Sequence, residues 1–421
     1  MKKVLVRGPV LSQSGYGEHT RFVLRSLRTR PDKFEIYLIA TSWGATGWLS
    51  EDNAERAWID GLLQKTIQYG QTGGHYFDIS LQVTIPNEWE KMAPINIGVT
   101  AGIETTKIAP MWIEKSLLMD KIIVVSEHSK YGFDNTTTKA TNSQTGLEFD
   151  ARTECPVEVV GYPAKNIIPE DIELSLKNEW NFLLVGTWIP RKNLENTIKW
   201  FVEEFYDQDV GLVVKTSLAK NCLRDREITH SKLQQLLKEY SERRCSVYLL
   251  HGDMTEGEMT SLYQHSKIKA FISLAHGEGF GLPIFEAAYN GLPIISPSWG
   301  GQCDYLYMPV KDKKGKTKNK AMFTPVSWDL KSIQPEAKWD GVLESDSQWC
   351  FPKEWDYKRA LKSIKKNYGT AKSKANKLKK HIIETHTQDN KYYELCNAIM
   401  PMSKNSNVMT WQDSISEMEL L

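Results

Sequence analysis

The sequence predicts an α/β protein with two domains, each built on a parallel sheet with helices on both faces. Short apolar runs typical of buried strands alternate with segments of helical periodicity along most of the chain. A length of 421 residues is long for one hydrophobic core, which favours two domains. The alternation breaks over residues 161–179 and then resumes, so we place the domain boundary at about residue 165.

Apolar runs of strand length occur in two series. The first series predicts strands at 4–6, 34–39, 79–84, 95–99, 122–125 and 157–160, with helices at 18–28, 110–119 and 127–133. The second series predicts strands at 182–185, 212–215, 247–250, 270–274 and 293–296.

Composition excludes several classes of protein. The 53 basic and 52 acidic residues give a net charge of +1, without the basic excess typical of nucleic-acid-binding proteins. The six cysteines include no C-x-x-C pair, which argues against a disulfide framework and a zinc site. No run approaches the roughly 18 apolar residues of a membrane span. We therefore expect a cytoplasmic protein, with peripheral attachment at a membrane as the alternative.

The segment 274–296 indicates a ligand site. Glu278 and Glu286 are eight positions apart, and glycines at 277, 279 and 281 permit a tight turn after the predicted strand 270–274. Pro283 can begin a helix and Gly291 can end it. This places Glu278 in a loop and Glu286 one turn into a helix, at the strand ends where open α/β sheets bind ligands.

This E-x7-E pattern with a Gly-Leu-Pro helix start resembles the retaining glycosyltransferases of the GT-B fold, in particular group 4 (glycosyl transferases group 1). The resemblance implies two Rossmann-like doubly wound domains facing a central cleft, with C-terminal helices crossing back. The expected domains are an acceptor-side domain at 1–165, a nucleotide-sugar-binding domain at 166–385, and a C-terminal helix and tail at 386–421. A UDP- or GDP-sugar would be the donor substrate, with no bound cofactor.

By the same resemblance, the first glutamate, Glu278, lies near the transferred sugar and the distal phosphate. The second, Glu286, holds the ribose hydroxyls. The backbone N–H groups of the loop and helix start would face the phosphates. Those residues are Gly279, Phe280, Gly281 and Leu282.

Two cations follow the first strand of the second domain. Arg191 and Lys192 could neutralise a leaving diphosphate. The resembling family has a basic residue immediately after the strand-end glycine, but Thr187 stands there in this chain, so only the later pair carries over. Lys215, at the next strand end, is a further candidate of the same kind.

In the first domain, Gly15 and Gly17 join the first strand to the first helix and allow close approach to a phosphate or sugar. Glu104 follows another strand, where an acceptor loop is expected, and could orient or deprotonate an acceptor hydroxyl. An ordinary turn and a loop carboxylate are the alternative interpretations. Ser126 and Lys130, in a segment resembling the family's strand-to-helix turn, are secondary candidates.

Two segments concentrate positive charge. Lys311–Lys320 holds six lysines and one acid and indicates an exposed loop or hairpin tip, while Lys358–Lys380 holds ten basic residues and no acid and indicates two amphipathic helices. Both segments could meet DNA or an anionic membrane surface, or they could be solvated faces.

We therefore predict a retaining, metal-independent glycosyltransferase that moves a hexosyl or pentosyl group from a nucleotide sugar to a hydroxyl acceptor. The acceptor class is a glycan, a lipid-linked sugar or lipopolysaccharide. A DNA glycosyltransferase acting on a hydroxylated base is one alternative. A non-catalytic nucleotide-sugar binder or a phosphorylase-like enzyme is another. The sequence does not indicate an oligomeric state, and no residue set predicts a metal site.

Overall fold

A computed structural model describes residues 1–49, 51–141, 146–312 and 315–401. The chain divides into two compact units. The N-terminal unit comprises residues 1–163, 339–344 and 386–421, and the C-terminal unit comprises 164–338 and 345–385. The last 20 residues of the predicted tail, 402–421, lie outside the described residues.

The N-terminal unit is built on a six-stranded parallel sheet of order β2-β1-β3-β4-β5-β8. Its strands are β1 (Lys2–Gly8), β2 (Phe34–Ala40), β3 (Ile79–Val83), β4 (Ile95–Thr100), β5 (Lys121–Val124) and β8 (Val157–Val159), with a β6 (Thr137–Thr141) and β7 (Glu148–Arg152) hairpin. Its helices are α1 (Gly15–Arg28), α2 (Ala54–Gln71), α3 (Pro110–Ser116), α4 (Glu127–Asn135) and α12 (Gln388–Ile399).

The C-terminal unit has a second six-stranded parallel sheet, of order β11-β10-β9-β12-β13-β16. Its strands are β9 (Asn181–Val185), β10 (Gly211–Lys215), β11 (Ser246–Leu250), β12 (Ile268–Ile272), β13 (Ile294–Pro297) and β16 (Thr324–Val326). Two hairpins add β14 (Tyr307–Lys311) with β15 (Thr317–Ala321), and β17 (Trp328–Ser332) with β18 (Gln348–Pro352). Its helices are α5 (Leu194–Glu204), α6 (Leu223–Leu237), α7 (Glu256–Gln264), α8 (Leu282–Tyr289), α9 (Cys303–Leu306), α10 (Glu354–Lys366) and α11 (Tyr368–Thr385).

The predicted fold class is confirmed, because each unit is a Rossmann-like parallel sheet with flanking helices. Helices cover both faces of the central strands, so these strands are apolar throughout rather than alternating. In β9, for example, Phe182, Leu183 and Leu184 are all buried.

The pattern did not predict α2, the 18-residue helix after β2. Only Ile59 and Leu62 of this helix are buried, so its sequence lacks a continuous apolar stripe. The hairpin predicted at Lys311–Lys320 is present as β14 and β15. Lys313 and Lys314 lie outside the described residues.

Two distant segments complete the core of the N-terminal unit. Helix α12 packs on α1, where the rings of Phe22 and Tyr392 are 6.0 Å apart and the Cys396 thiol donates to the Ser26 carbonyl. Residues 339–344 enter from the loop between β17 and β18, and Val342 is buried in the cluster that contains Trp89. Nothing in the sequence pattern indicated this second segment.

Candidate functional site

A tight turn after β9 presents the two predicted cations. Pro190–Lys192 form one 3-10 turn, and Asn193 then adopts the left-handed conformation with φ of 53° before α5 begins. Asparagine tolerates this conformation better than most residues with a side chain. The buried Asn193 amide donates to the Leu274 carbonyl, which ties this turn to the loop after β12.

Both cations converge on Glu278. Lys192 Nζ lies 2.5 Å from Glu278 Oε1, and Arg191 Nη1 lies 3.1 Å from Oε2. Arg191 Nη1 also donates to the Gly277 carbonyl at 2.8 Å. Three residues that the sequence pattern selected separately therefore form one charged cluster at the carboxyl ends of β9 and β12.

The electrostatics of this cluster keep Glu278 ionised. Its side chain is only 7% exposed, and this burial raises the carboxyl pKa. The charges of Lys192 and Arg191 lower the pKa by more, so the net shift is downward from the ordinary value. The cluster therefore holds one negative and two positive charges near neutral pH.

The loop after Glu278 leads into α8. Gly281 caps this helix with φ of 85°, which favours glycine, and Pro283 lies in the first turn. The buried Tyr305 hydroxyl is 3.0 Å from the Phe280 carbonyl and 2.9 Å from that of Gly281. The Tyr305 side chain thus holds the backbone at the start of α8, as a preorganised phosphate site would require.

Glu286 is the fifth residue of α8, as predicted, and it is fixed by a neighbouring helix. The hydroxyl of Tyr263, on α7, donates to Glu286 Oε2 at 2.8 Å. Glu286 and Tyr263 line a cavity of about 100 Å³ together with Lys165, Met254 and Tyr289 among others. No motif in the sequence had indicated Tyr263, because a single tyrosine on a helix has no distinguishing pattern.

Lys215 ends β10 and its ammonium donates to the Gly252 carbonyl. Burial lowers the pKa of this ammonium. The structure therefore gives Lys215 a backbone partner, in contrast to the carboxylate partner of Arg191 and Lys192.

His276 precedes the charged cluster and has a full set of partners. The Gln334 amide donates to His276 Nε2 at 3.0 Å, and its oxygen accepts from Trp349 Nε1, which fixes the amide orientation. The proton of the ring is therefore on Nδ1, which donates to the Cys350 carbonyl at 2.7 Å. Burial lowers the pKa of His276 to about 4, so the ring is neutral.

In the N-terminal unit, the glycine loop is shaped by its own chain. A Cβ on Gly17 would lie 1.9 Å from the Ser12 carbonyl oxygen, so only glycine fits there, whereas Gly15 is exposed and faces open space. The Ser14 hydroxyl caps α1 by accepting from the Gly17 N–H.

Tyr16, within this loop, contacts the end of β4 and the segment that follows β2. The Tyr16 hydroxyl is 2.7 Å from that of Thr100, and its ring centroid is 4.2 Å from the Trp43 ring. Burial raises the pKa of Tyr16, and the charge of the half-buried Glu104 raises it further.

Ser126 and Lys130 have structural contacts. Ser126 caps α4 by accepting from the Ser129 N–H. Lys130 donates to the Val157 carbonyl at 2.7 Å and pairs with Asp134 at 2.9 Å.

Ion pairs with acidic residues outside the segment neutralise part of the positive charge of Lys358–Lys380. This segment forms most of α10 and α11, as predicted, but acids outside it pair with its first half: Lys358 with Glu203 and Lys362 with Glu204. On α11, Lys374, Lys377 and Lys380 are exposed. On the hairpin, Lys311, Lys316, Lys318 and Lys320 are exposed.

Across the described part of the chain, no group of three or more His, Cys, Asp or Glu side chains is arranged to hold a metal ion. None of the described helices is long and apolar enough to span a bilayer.

Residues 169–315, which contain the charged cluster and Glu286, match the family model described as glycosyl transferases group 1. This confirms the resemblance for that segment. Over 118 residues the chain is 31% identical to the serotype-specific mannosyltransferase WbdA of Escherichia coli. The match covers 27% of this chain and only 13% of WbdA.

Solved glycosyltransferases share the fold over nearly the whole chain. Anabaena HepE, solved with UDP and glucose, is 12% identical, with 96% of this chain and 100% of that chain covered and a TM-score of 0.61. Sucrose-phosphate synthase from Thermosynechococcus elongatus is 11% identical, with 94% and 98% covered and a TM-score of 0.59. The shared architecture is GT-B.

Proposed function

We propose that this GT-B chain, with its group 1 glycosyltransferase segment, transfers a sugar from a nucleotide-sugar donor to a hydroxyl acceptor with retention of anomeric configuration. The observation that carries the proposal is the pairing of Arg191 and Lys192 with Glu278, beside the helix that bears Glu286. The similarity to HepE, which was solved with UDP and glucose, and to the mannosyltransferase WbdA supports a sugar-transfer reaction.

The reaction breaks the bond between the sugar C1 and the diphosphate, and the electron pair stays on the diphosphate. Arg191 and Lys192 stabilise that developing negative charge, together with the backbone N–H groups at the start of α8. Because these groups supply positive charge at the diphosphate, we propose a metal-independent transfer. Glu278 stabilises the positive charge that develops on the sugar ring.

The acceptor oxygen forms the new bond to C1 and loses its proton. We propose that Glu104 of the N-terminal unit orients this hydroxyl and takes up the proton. Glu286 binds the ribose hydroxyls, and the Tyr263 hydroxyl fixes its carboxylate. A UDP- or GDP-sugar is the proposed donor.

A thermal-shift screen over UDP-, GDP- and ADP-glucose and GDP-mannose tests the donor site. A donor present at 100 times its dissociation constant should stabilise the protein by roughly 2.7 kcal/mol. Glu286→Ala should remove that shift. If none of these donors shifts the melting temperature of the wild-type protein, the proposal is contradicted.

The two alternatives predict different products. A non-catalytic binder would show the thermal shift without any donor cleavage, and a phosphorylase-like enzyme would need inorganic phosphate for turnover. Donor hydrolysis or transfer that disappears in Glu278→Gln excludes the first, and product formed without phosphate excludes the second.

A second candidate acceptor is a polyanion, either modified DNA or an anionic membrane surface. The exposed lysines of the β14–β15 hairpin favour a polyanionic acceptor. They concentrate positive charge on one hairpin, although the total charge of the chain is nearly neutral. If the polyanion is a membrane surface, the protein would be peripheral at that membrane. If it is DNA, the protein would be cytoplasmic.

A further inference from the structure

The loop after β2 exposes an aromatic surface that the donor chemistry does not use. Trp48 is 63% exposed, so its indole ring is accessible to a ligand. Trp43, five residues earlier, packs against the ring of Tyr16 at a tilt of 33° and is itself only half-buried. The two indoles therefore belong to one surface loop, residues 41–49.

This loop is held in place by backbone pairing with the glycine loop. Ser12 and Trp48 form an antiparallel bridge. The Gln13 N–H donates to the Gly47 carbonyl at 2.9 Å, and the Leu49 N–H donates to the Leu11 carbonyl at 2.7 Å. The Trp48 ring is thus carried on a fixed backbone, and a ligand that stacks on it would lose little loop entropy.

The surface lies at the ligand-binding edge of the sheet. The glycine loop follows β1 and the tryptophan loop follows β2, and these strands are parallel neighbours in register from Lys2 with Phe34 to Gly8 with Ala40. Both loops therefore emerge from the carboxyl ends of adjacent strands, where open α/β sheets bind ligands.

The chemistry of the surface is uncharged. Residues 41–49 and 12–17 include no acidic or basic side chain, in a chain with 25% charged residues. They carry instead hydroxyl, amide and indole groups. A polyanion would find no countercharge here, whereas a sugar offers an apolar ring face for stacking and hydroxyls for hydrogen bonds.

We propose that this surface binds the acceptor and that the acceptor is a neutral glycan. A pyranose ring stacks on Trp48. The inference rests on the proposed function, because it names the acceptor class of that reaction. Trp48 acts here as a binding residue and takes no part in donor cleavage.

The test separates acceptor binding from donor chemistry. Binding of three neutral trisaccharides, built from glucose, mannose or galactose, is measured by saturation-transfer NMR on the full chain. Donor hydrolysis and transfer to the same trisaccharides are measured in parallel. Trp48→Ala should weaken trisaccharide binding and raise the acceptor KM on the order of ten-fold, as expected for a lost aromatic stack, while donor hydrolysis is unchanged. Trp48→Phe should restore most of the affinity.

The chain offers a matched control. Trp355 on α10 is 61% exposed, close to the 63% of Trp48, and lies in the C-terminal unit. Trp355→Ala should leave trisaccharide binding unchanged.

Two results would overturn the inference: no trisaccharide binds the wild-type protein, or Trp48→Ala binds as well as wild type. Neither depends on turnover, so an inactive donor site contradicts the proposed function alone. Conversely, normal donor hydrolysis with an unaffected Trp48→Ala variant contradicts the inference alone.

Discussion

The ammonium of Lys192 and the carboxylate of Glu278 approach to 2.5 Å, although 86 residues separate them in sequence. The contact depends on Asn193, whose left-handed conformation and bond to the Leu274 carbonyl bring the turn after β9 against the loop after β12. The donor-side cluster is therefore a product of the fold and not of either segment alone.

We expect Lys192→Ala to lower turnover by roughly 10²-fold or more with a much smaller effect on donor affinity. Negative charge on the diphosphate grows as the bond to C1 breaks, so the lost interaction is strongest in the transition state. Steady-state kinetics of donor hydrolysis would measure both effects. Lys192→Arg, which keeps the charge, is the control. Near-normal turnover of the alanine variant would assign the role to Lys215 instead.

Glu286→Ala should weaken binding of the bare nucleoside diphosphate, measured by calorimetry, because the proposed ribose contact does not involve the sugar. Tyr263→Phe should weaken it less, since only the bond that orients the carboxylate is lost. The control is Tyr131→Phe, at an exposed position in the N-terminal unit. Equal affinity of Glu286→Ala and wild type would disprove the ribose assignment.

Acid should destabilise the protein partly through His276. Its folded pKa of about 4 is below the ordinary value of 6.5, so the unfolded chain binds a proton that the folded chain excludes. The contribution of His276 to the free energy of unfolding is therefore complete above about pH 6.5 and is lost as the pH falls through about 4. The total loss is about 3 kcal/mol at most. Urea unfolding at several pH values would show a shallower dependence in His276→Gln. The same slope in both proteins would refute this role.

Neutralising the hairpin lysines, as Lys316→Gln, Lys318→Gln and Lys320→Gln together, should leave donor hydrolysis unchanged. If the polyanion proposal is correct, binding to DNA or to vesicles with anionic lipid should fall at low salt. The difference should vanish towards 1 M salt, where the screening length is about 3 Å. Lys374→Gln, Lys377→Gln and Lys380→Gln together test polyanion binding by α11 in the same way. Wild-type binding by both triple variants would make these lysines a solvated surface.

Asn87→Ala should destabilise the N-terminal unit by about 2 kcal/mol. The Asn87 side chain accepts from the Trp112 indole N–H at 2.7 Å and donates to the Gly341 carbonyl at 2.9 Å. Its removal leaves the buried indole N–H without this acceptor. Asn135→Ala, at an exposed helix end of the same unit, is the control for urea unfolding. Equal midpoints of the two variants would contradict the prediction.

The central strands could be predicted because strands buried on both faces are short apolar runs with no competing pattern. Helix α2 could not, because it buries only two residues and has little periodicity to detect. The entry of residues 339–344 into the N-terminal unit was also beyond prediction. It depends on a few contacts, such as Val342 in its apolar cluster, between residues far apart in sequence.

The donor-side residues were selected by spacing and by resemblance, and the structure brings Arg191, Lys192 and Glu278 together. Their roles stay predictions. The residues that position them were not found. Tyr263 and Asn193 have ordinary sequence surroundings, and their contacts with Glu286 and with the Leu274 carbonyl exist only once distant elements have packed.

The discontinuous composition of the N-terminal unit has a consequence for synthesis. On the ribosome its sheet can form as soon as residue 163 has emerged, yet Val342 and α12 follow only after most of the C-terminal unit has been translated. Until then the face of α1 that contacts Tyr392 and Cys396 lacks its cover, and a nascent chain would expose apolar surface that chaperones recognise. A stop codon after residue 385 would make that exposure permanent.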